Sequence, residues 1–289
     1  MIVVFGSINV DLLVPVPHLP SLGETVLGGD YRIAPGGKGA NQALAARRAG
    51  SDVAMVGAVG RDAFAEIALS LLRQGGVELS LVAISERPTG CATITIDAAG
   101  ENQIAVASGA NLAVTAAQVP DQLLGPETVL VLQREVPMPE NAALIRHARE
   151  RGSRVVLSLA PAGPIDPAKF EDIDILIANE GESTALDPGV AGRLRQALVV
   201  TRGSAGAMAY LANGSTIEVP ALKIVPVDTT GAGDAFAGVL AAALDQGLPL
   251  DAALRRASAA GALACLVVGA QPAMPDRAAI DQAIARLQA

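Results

Sequence analysis

Nearly continuous apolar runs recur along the chain at residues 2–5, 53–59, 128–132, 155–159, 173–178 and 197–201. Each is short, rich in Val, Ile and Leu, and lacks the alternation of a strand with one wet face, so each predicts a strand buried on both sides. Between several of them lie amphipathic stretches, 40–49, 63–74 and 140–151. Buried strands joined by helices imply βαβ crossovers. The expected fold class is α/β: a mainly parallel sheet covered by helices on both faces, Rossmann-like in its layering.

Two regions break this rhythm. Residues 91–97 alternate through Thr93, Ile94, Thr95 and Ile96, turn at Ala98-Ala99-Gly100-Glu101 and return over 103–108, the pattern of a hairpin with one exposed face. Residues 11–17 and 25–33 make a second expected pair, with Pro15 and Pro17 suited to an edge strand. Together they predict a small β-sheet lid drawn from two insertions, about 11–34 and 88–110, on a single α/β domain spanning 1–289. The last third turns helical. Residues 234–246 stop at Gly247, and a further helix starts near Pro249 and runs through the small residues 257–262, which let two helices approach closely.

Composition narrows the function. Of 289 residues, 51% are hydrophobic, which suits a large core, yet only four Phe and two Tyr supply aromatic rings. With a net charge of −8, that scarcity argues against nucleic acid as a partner, since single strands need stacking platforms beside basic grooves. The longest run of apolar residues and glycine, 259–270, is too short to span a bilayer. The opening Met1-Ile2-Val3-Val4-Phe5-Gly6 lacks the basic start of a secretory leader. A cytoplasmic protein without membrane association is therefore expected. Cys91 and Cys265 are too isolated for a disulfide framework or a metal pair and read as small buried apolar residues.

Several chemistries drop out. His18 and His147, the only histidines, read as surface residues, which leaves no zinc motif and no Cys–His pair. Arg202-Gly203-Ser204-Ala205-Gly206 has Arg202 where a nucleophile elbow requires Gly. Lys38 follows Gly37, but Arg32 and Gly39 break a Walker A loop. No GxGxxG follows the first strand.

Three segments remain. In Asp228-Thr229-Thr230-Gly231-Ala232-Gly233-Asp234, residues with little or no side chain lead into a long helix, whose free N–H groups and dipole can face an anion. An isolated Gly-Asp would make Asp234 an N-cap. Beside a phosphate cradle, its carboxylate can instead take the proton of a hydroxyl attacking the phosphate. Pro35-Gly36-Gly37-Lys38-Gly39-Ala40-Asn41-Gln42 also opens a helix and offers bare backbone with several donors to a polyhydroxy ligand. In Gly6-Ser7-Ile8-Asn9-Val10-Asp11, Asn9 and Asp11 lie on one side of an extended segment just past the first buried strand, where open α/β sheets bind ligands.

In this order the three segments closely resemble the PfkB-type carbohydrate kinases, the ribokinase group most of all. So do Gly100-Glu101-Asn102 through Gly109-Ala110-Asn111, Gln133-Arg134-Glu135-Val136-Pro137, Asn179-Glu180-Gly181-Glu182, Thr201 to Gly206, and Gly269-Ala270-Gln271-Pro272. The resemblance runs from Gly6 to Pro275 and implies an ATP-dependent kinase making ribose 5-phosphate, with the ribokinase-like fold. It casts Asp234 as catalytic base and Gly231, Ala232 and Gly233 as the anion hole. Asn9, Asp11, Gly37, Lys38, Asn41 and Glu135 would hold the sugar. Asn179 and Glu182 match a motif associated with Mg2+ and the ATP phosphates, and Thr201, Gly203, Ser204 and Gly206, with Gly233 and Ser258, would line the nucleotide site. K+ would meet Asp228 and the carbonyls of Thr230, Ala264, Val267 and Gly269. The lid would pair with a second subunit in a homodimer.

Departures from the pattern are also legible. Ala273 replaces a Ser hydroxyl near the K+ position, and Ser258 stands where a His would face the nucleotide. The stretch between Glu182 and Ala197 is short, which predicts a trimmed peripheral helix. Alternatives are a kinase for another sugar or a nucleoside, and a sugar-binding regulator without catalysis. Retention of Asp234, Gly231 and Gly233 weighs against the regulator.

Overall fold

In the first strand, β1 (Ile2–Phe5), Ile2 and Val4 join one hydrophobic core while Val3 and Phe5 join another, and all four are fully buried. That division is the two-residue period of a strand with helices on both sides. The computed structural model of the chain describes residues 1–163 and 167–288. After β1 come β2 (Asn9–Pro15), β3 (Arg32–Gly36), α1 (Lys38–Arg48), β4 (Val53–Gly60), α2 (Ala63–Gln74), β5 (Val82–Ser85), β6 (Gly90–Ile96) and β7 (Asn102–Ala107). The middle of the chain holds β8 (Val129–Leu132), α3 (Met138–Glu150), β9 (Arg154–Ser158), β10 (Ile175–Asn179), α4 (Glu180–Ser183), β11 (Ala197–Thr201), β12 (Ala207–Leu211) and β13 (Thr216–Val219). The helices α5 (Ala232–Asp245), α6 (Leu250–Ala264), α7 (Ala270–Ala273) and α8 (Arg277–Gln288) close the fold.

Nine strands make the main sheet in the order β13-β12-β11-β10-β9-β8-β1-β4-β5. It is parallel except where β12 pairs antiparallel with β11 and β13. Helices α1, α2, α5, α6 and α8 contribute to the core on one face, and α3 packs Leu144, Ile145 and Ala148 into the core on the other. The expected α/β layering is thus present. Between β10 and β11 the crossover shrinks to α4 and a 3-10 turn at Val190–Arg193, as the short sequence there predicts. Among the described residues no helix is long and apolar enough to cross a membrane.

A second sheet of four strands, ordered β3-β2-β6-β7, forms the small β-lid. Two expectations need correction here. Strand β2 is not an edge strand: it lies between β3 and β6, pairing in parallel with β6 from Asn9↔Gly90 to Pro15↔Ile96. Pro15 is tolerated because pairing with β3 ends at Leu13↔Arg32, so no ladder N–H is lost on that side. The expected partner of β2 is present but starts later: of residues 25–33 only Arg32 and Ile33 lie in β3, which pairs antiparallel with β2. Before it the chain folds back loosely, and Gly29 N–H donates to the Pro15 carbonyl at 2.9 Å.

Candidate active site

Helix α5 begins on Gly231, whose φ of 77° lies in the left-handed region that only glycine adopts cheaply. Ala232 N–H donates to the Thr229 carbonyl (3.3 Å) and Ala235 N–H to that of Gly231 (2.8 Å). Asp234 is not the N-cap. It sits in the first turn, is only 8% exposed, and its carboxylate points to α1: Asn41 Nδ2 donates to Oδ2 and Gln42 Nε2 to Oδ1, both at 2.9 Å. Charge-assisted bonds of this kind hold a carboxylate in one orientation.

The start of α1 gathers more polar groups on the same side. Ser7 Oγ donates to Glu135 Oε2 (2.5 Å), which also accepts from Lys38 N–H (3.2 Å), and Gly39 N–H donates to Ser7 Oγ (3.3 Å). Asn9 is 2% exposed, and its Oδ1 accepts from Asn111 Nδ2 (2.7 Å) while Asn111 Oδ1 accepts from Ile8 N–H (2.9 Å). Gly37, at φ 91°, leaves no room for a side chain: a Cβ there would stand 2.7 Å from Asn9 N. The Asp11 carboxylate fills the space where a Cβ on Gly36 would be.

Electrostatics mark these groups as one cluster. Burial, then Glu135 and Asp234, push the Asp11 carboxyl up to about 6 despite nearby Lys38. The ammonium of Lys38 is held above its ordinary range by Asp234, against its burial, with help from Glu135, Glu182 and Asp11. The structure therefore brings Asn9, Asp11, Gly37, Lys38, Asn41, Glu135 and Asp234 into one polar cluster, the polar pocket, where β2 and the first turns of α1 and α5 meet. It can receive the hydroxyls of a neutral polyol through both donors and acceptors.

On the other side of the first turn of α5 opens a cleft of about 410 Å³. Thr201, Gly203, Ser204, Gly206, Gly233 and Ser258, expected there, all line it, together with Ala232, Phe236 and Lys223. Pocket and cleft thus meet at two consecutive residues, Asp234 and Gly233.

Residues 1–277 match the pfkB family carbohydrate kinases. The chain belongs to that family. It is 35% identical to the ribokinase of Lactococcus lactis over 99% of this chain and 97% of that one, and 36% identical to the Bacillus subtilis ribokinase over 97% and 98%. Among solved structures, Arabidopsis thaliana ribokinase complexed with ribose and ATP superposes with a TM-score of 0.87 at 30% identity, covering 98% of each chain. Like its relatives, this PfkB-family protein is an ATP-dependent sugar kinase.

The remaining predicted positions of the kinase fall near the cleft. Asn179 and Glu182 cap α4 reciprocally: Asn179 Oδ1 accepts from Glu182 N–H (2.7 Å) and Glu182 Oε2 from Asn179 N–H (2.9 Å). They do not line the cleft, but the charge of Glu182 acts on Lys38 and Arg134. Asp228 accepts from Thr230 N–H (2.9 Å) and Gly269 N–H (2.8 Å). Burial pushes its carboxyl up, and these bonds with the Thr230 hydroxyl more than offset this, holding it below the usual carboxylate range. The Ala264 carbonyl accepts from Val267 N–H at 3.4 Å. Ser258 turns its hydroxyl to the Pro220 carbonyl (2.9 Å) and away from a role as a free donor. Cys91 and Cys265 are half-buried, not buried, and Cys265 lines the cleft.

Sequence reasoning left out Gln42, Ser7 and Asn111, which bond the pocket residues, and Lys223, one of three lysines in the chain. For the first three the signal was present in the quoted motifs. Lys223 follows no motif and enters the cleft through an irregular segment.

Proposed function

We propose that this kinase transfers the terminal phosphoryl group of ATP to the 5-hydroxyl of D-ribose, giving ribose 5-phosphate and ADP. The observation that carries the reading is the junction at Gly233 and Asp234, where the polar cluster of α1 and β2 adjoins a nucleotide-sized cleft. The identity to ribokinases over the full chain supports ribose as the sugar.

In this reading Asn9, Asp11, Lys38, Asn41 and Glu135, with the backbone at Gly37, orient the sugar. Asp234 accepts the proton of the 5-hydroxyl as its oxygen attacks the γ-phosphorus and the bond to ADP breaks. Gly231 and Gly233 present backbone N–H groups to the charge on the transferring phosphoryl group, and Ala232 joins them by releasing its long 3.3 Å bond to the Thr229 carbonyl. Positioning and electrostatic stabilisation suffice for such a transfer. Thr201, Gly203, Ser204, Gly206 and Ser258 flank the nucleotide.

Asn179 and Glu182 offer hard oxygen donors suited to Mg2+, which when bound neutralises phosphate charge. For K+, Asp228 and the carbonyls of Thr230, Ala264, Val267 and Gly269 are available. Both Asp228 oxygens already accept N–H bonds and Ala273 adds no oxygen, so the donor set fits only in part and no step depends on it. Exposed Ile104 and Val106 on edge strand β7 support a homodimer formed through the lid, and use of ATP suits a cytoplasmic location.

The test is ADP release across ribose, deoxyribose, fructose, fructose phosphates and nucleosides. Ribose should lead in kcat/KM by at least roughly tenfold; a nucleoside or a phosphorylated sugar ahead of it would overturn the assignment. Asp234→Asn should lose roughly 10³-fold in turnover while still binding sugar. Retention of a tenth of the activity would remove Asp234 from the role of base.

A further inference from the structure

Gln42 has no part in the reading above, yet its side chain is placed as if it had one. It is fully buried, next to Asn41 on α1, and its amide nitrogen donates to Asp234 Oδ1 at 2.9 Å. Its amide oxygen is buried and has no hydrogen-bond partner. An amide used only to fill space would be better replaced by an apolar side chain of the same shape, because an unsatisfied buried acceptor is costly. What the amide does supply is one N–H, aimed at one oxygen of the carboxylate.

The two donors act on different oxygens. Asn41 holds Oδ2 and Gln42 holds Oδ1. With one lone pair on each oxygen engaged, rotation about the last bond of Asp234 would break both contacts at once, and the lone pairs left over point in fixed directions. A single donor would leave the carboxylate free to swing about it. A proton acceptor in phosphoryl transfer needs that fixed direction, since rate falls steeply when the reacting groups drift by an ångström.

We propose that Gln42 is a positioning residue for this kinase, locking the Asp234 carboxylate in the orientation that takes the sugar proton. The proposal rests on Asp234 as base. Gln42 acts through Asp234 and not on the sugar, so its loss should fall on kcat and leave KM alone, unlike loss of Asn41.

Gln42→Met keeps length and volume and removes the donor. We expect kcat to fall roughly 10–100-fold with the sugar KM within about threefold of the parent. In the Asp234→Asn background the same change should have no further effect, because the group it orients is gone. Gln42→Glu, which sets a second carboxyl against Asp234, should lower kcat at least as far, and it carries the test if the Met variant does not fold. A kcat within twofold of the parent in a folded variant, a rise in KM that accounts for the whole loss, or an undiminished effect in the Asp234→Asn background would each overturn the proposal. Failure of the base reading is separate: it shows as activity in Asp234→Asn alone.

Discussion

The carbonyl of Gln42 occupies the space that a Cβ on Gly238 would need, so helices α1 and α5 touch backbone to backbone one turn beyond Asp234. This close crossing brings the amides of Asn41 and Gln42 within 2.9 Å of the Asp234 carboxylate.

Gly238→Ala should therefore separate the two helices. The new methyl would also stand 2.7 Å from Ala45 Cβ and 3.0 Å from Ala46 N, contacts that only a helix shift relieves. Overpacking of about 1–3 kcal/mol outweighs the helix propensity gained, and kcat should fall roughly tenfold. Thermal melts and steady-state kinetics check this; a variant as stable and as fast as the parent would show that the crossing does not set the site.

Gly233 gives the opposite case. A Cβ there meets nothing within 4 Å and enters the cleft. Gly233→Ala should keep or slightly raise the melting temperature, since alanine favours the helix by up to about 1 kcal/mol. It should raise the KM for ATP or lower kcat by roughly tenfold or more, because the methyl stands where phosphate must approach. Isothermal titration with a non-hydrolysable ATP analogue separates the two.

Much of this arrangement could be read from the chain. Unbroken runs such as Val53–Gly60 are buried throughout, so their composition alone announced a sheet covered on both faces. The parallel pairing of β2 with β6 could not be read, because it joins segments about 80 residues apart and leaves no local period in either. The loose stretch before Arg32 looked like a strand because its side chains suit one, while the geometry of Pro15 and Gly29 ends the ladder. In the site, Asp234 and Lys38 stood out because their charges sit beside glycines. Gln42 did not, since a glutamine within a helix has the composition of any solvated helix position and only the α1–α5 crossing turns it inward.

Asp11 gives a pH dependence. Its native carboxyl titrates near 6, against an ordinary value of 3.8. Between these values the native state holds a proton that the unfolded chain has released, so stability falls as pH rises through the window and the full penalty remains above it. Asp11→Asn should raise the melting temperature by roughly 2–4 °C at pH 7.5 and by less at pH 4.5. The ionised form accepts sugar hydroxyls, so the parent's sugar KM should climb below pH 6. In the variant, KM should be roughly 10–100-fold higher and flat with pH. A parent KM unchanged from pH 7.5 to 5 would contradict this role.

Removal of K+ should have a measurable but limited effect. Replacing KCl by NaCl at equal ionic strength should lower turnover no more than roughly tenfold, given the incomplete oxygen set around Asp228. Asp228→Ala should abolish the difference between the salts. Equal rates in both salts for the parent would exclude the cation site.

Strand β7 is exposed along its whole length, with Ile104 56% exposed. If lids pair in a homodimer, Ile104→Glu should shift the sedimenting species to the 29.1 kDa protomer and weaken sugar binding where the lid no longer closes. An unaltered mass would place any subunit contact elsewhere.

The bonds of Asn41 and Gln42 to Asp234 have a mechanical consequence. Lys38 and Asn41, which are to receive the sugar, ride on the same helix that grips the base, while Asn9 and Asp11 lie on β2 of the four-stranded sheet. Swinging that sheet would carry Asn9 and Asp11 with β2 while the Asp234 carboxylate stays clamped to α1. The grip on the sugar is thus shared between lid and body, while the hold on the base belongs to the body alone. Substitutions on β2 should therefore act on sugar affinity and those at the α1–α5 contact on the chemical step.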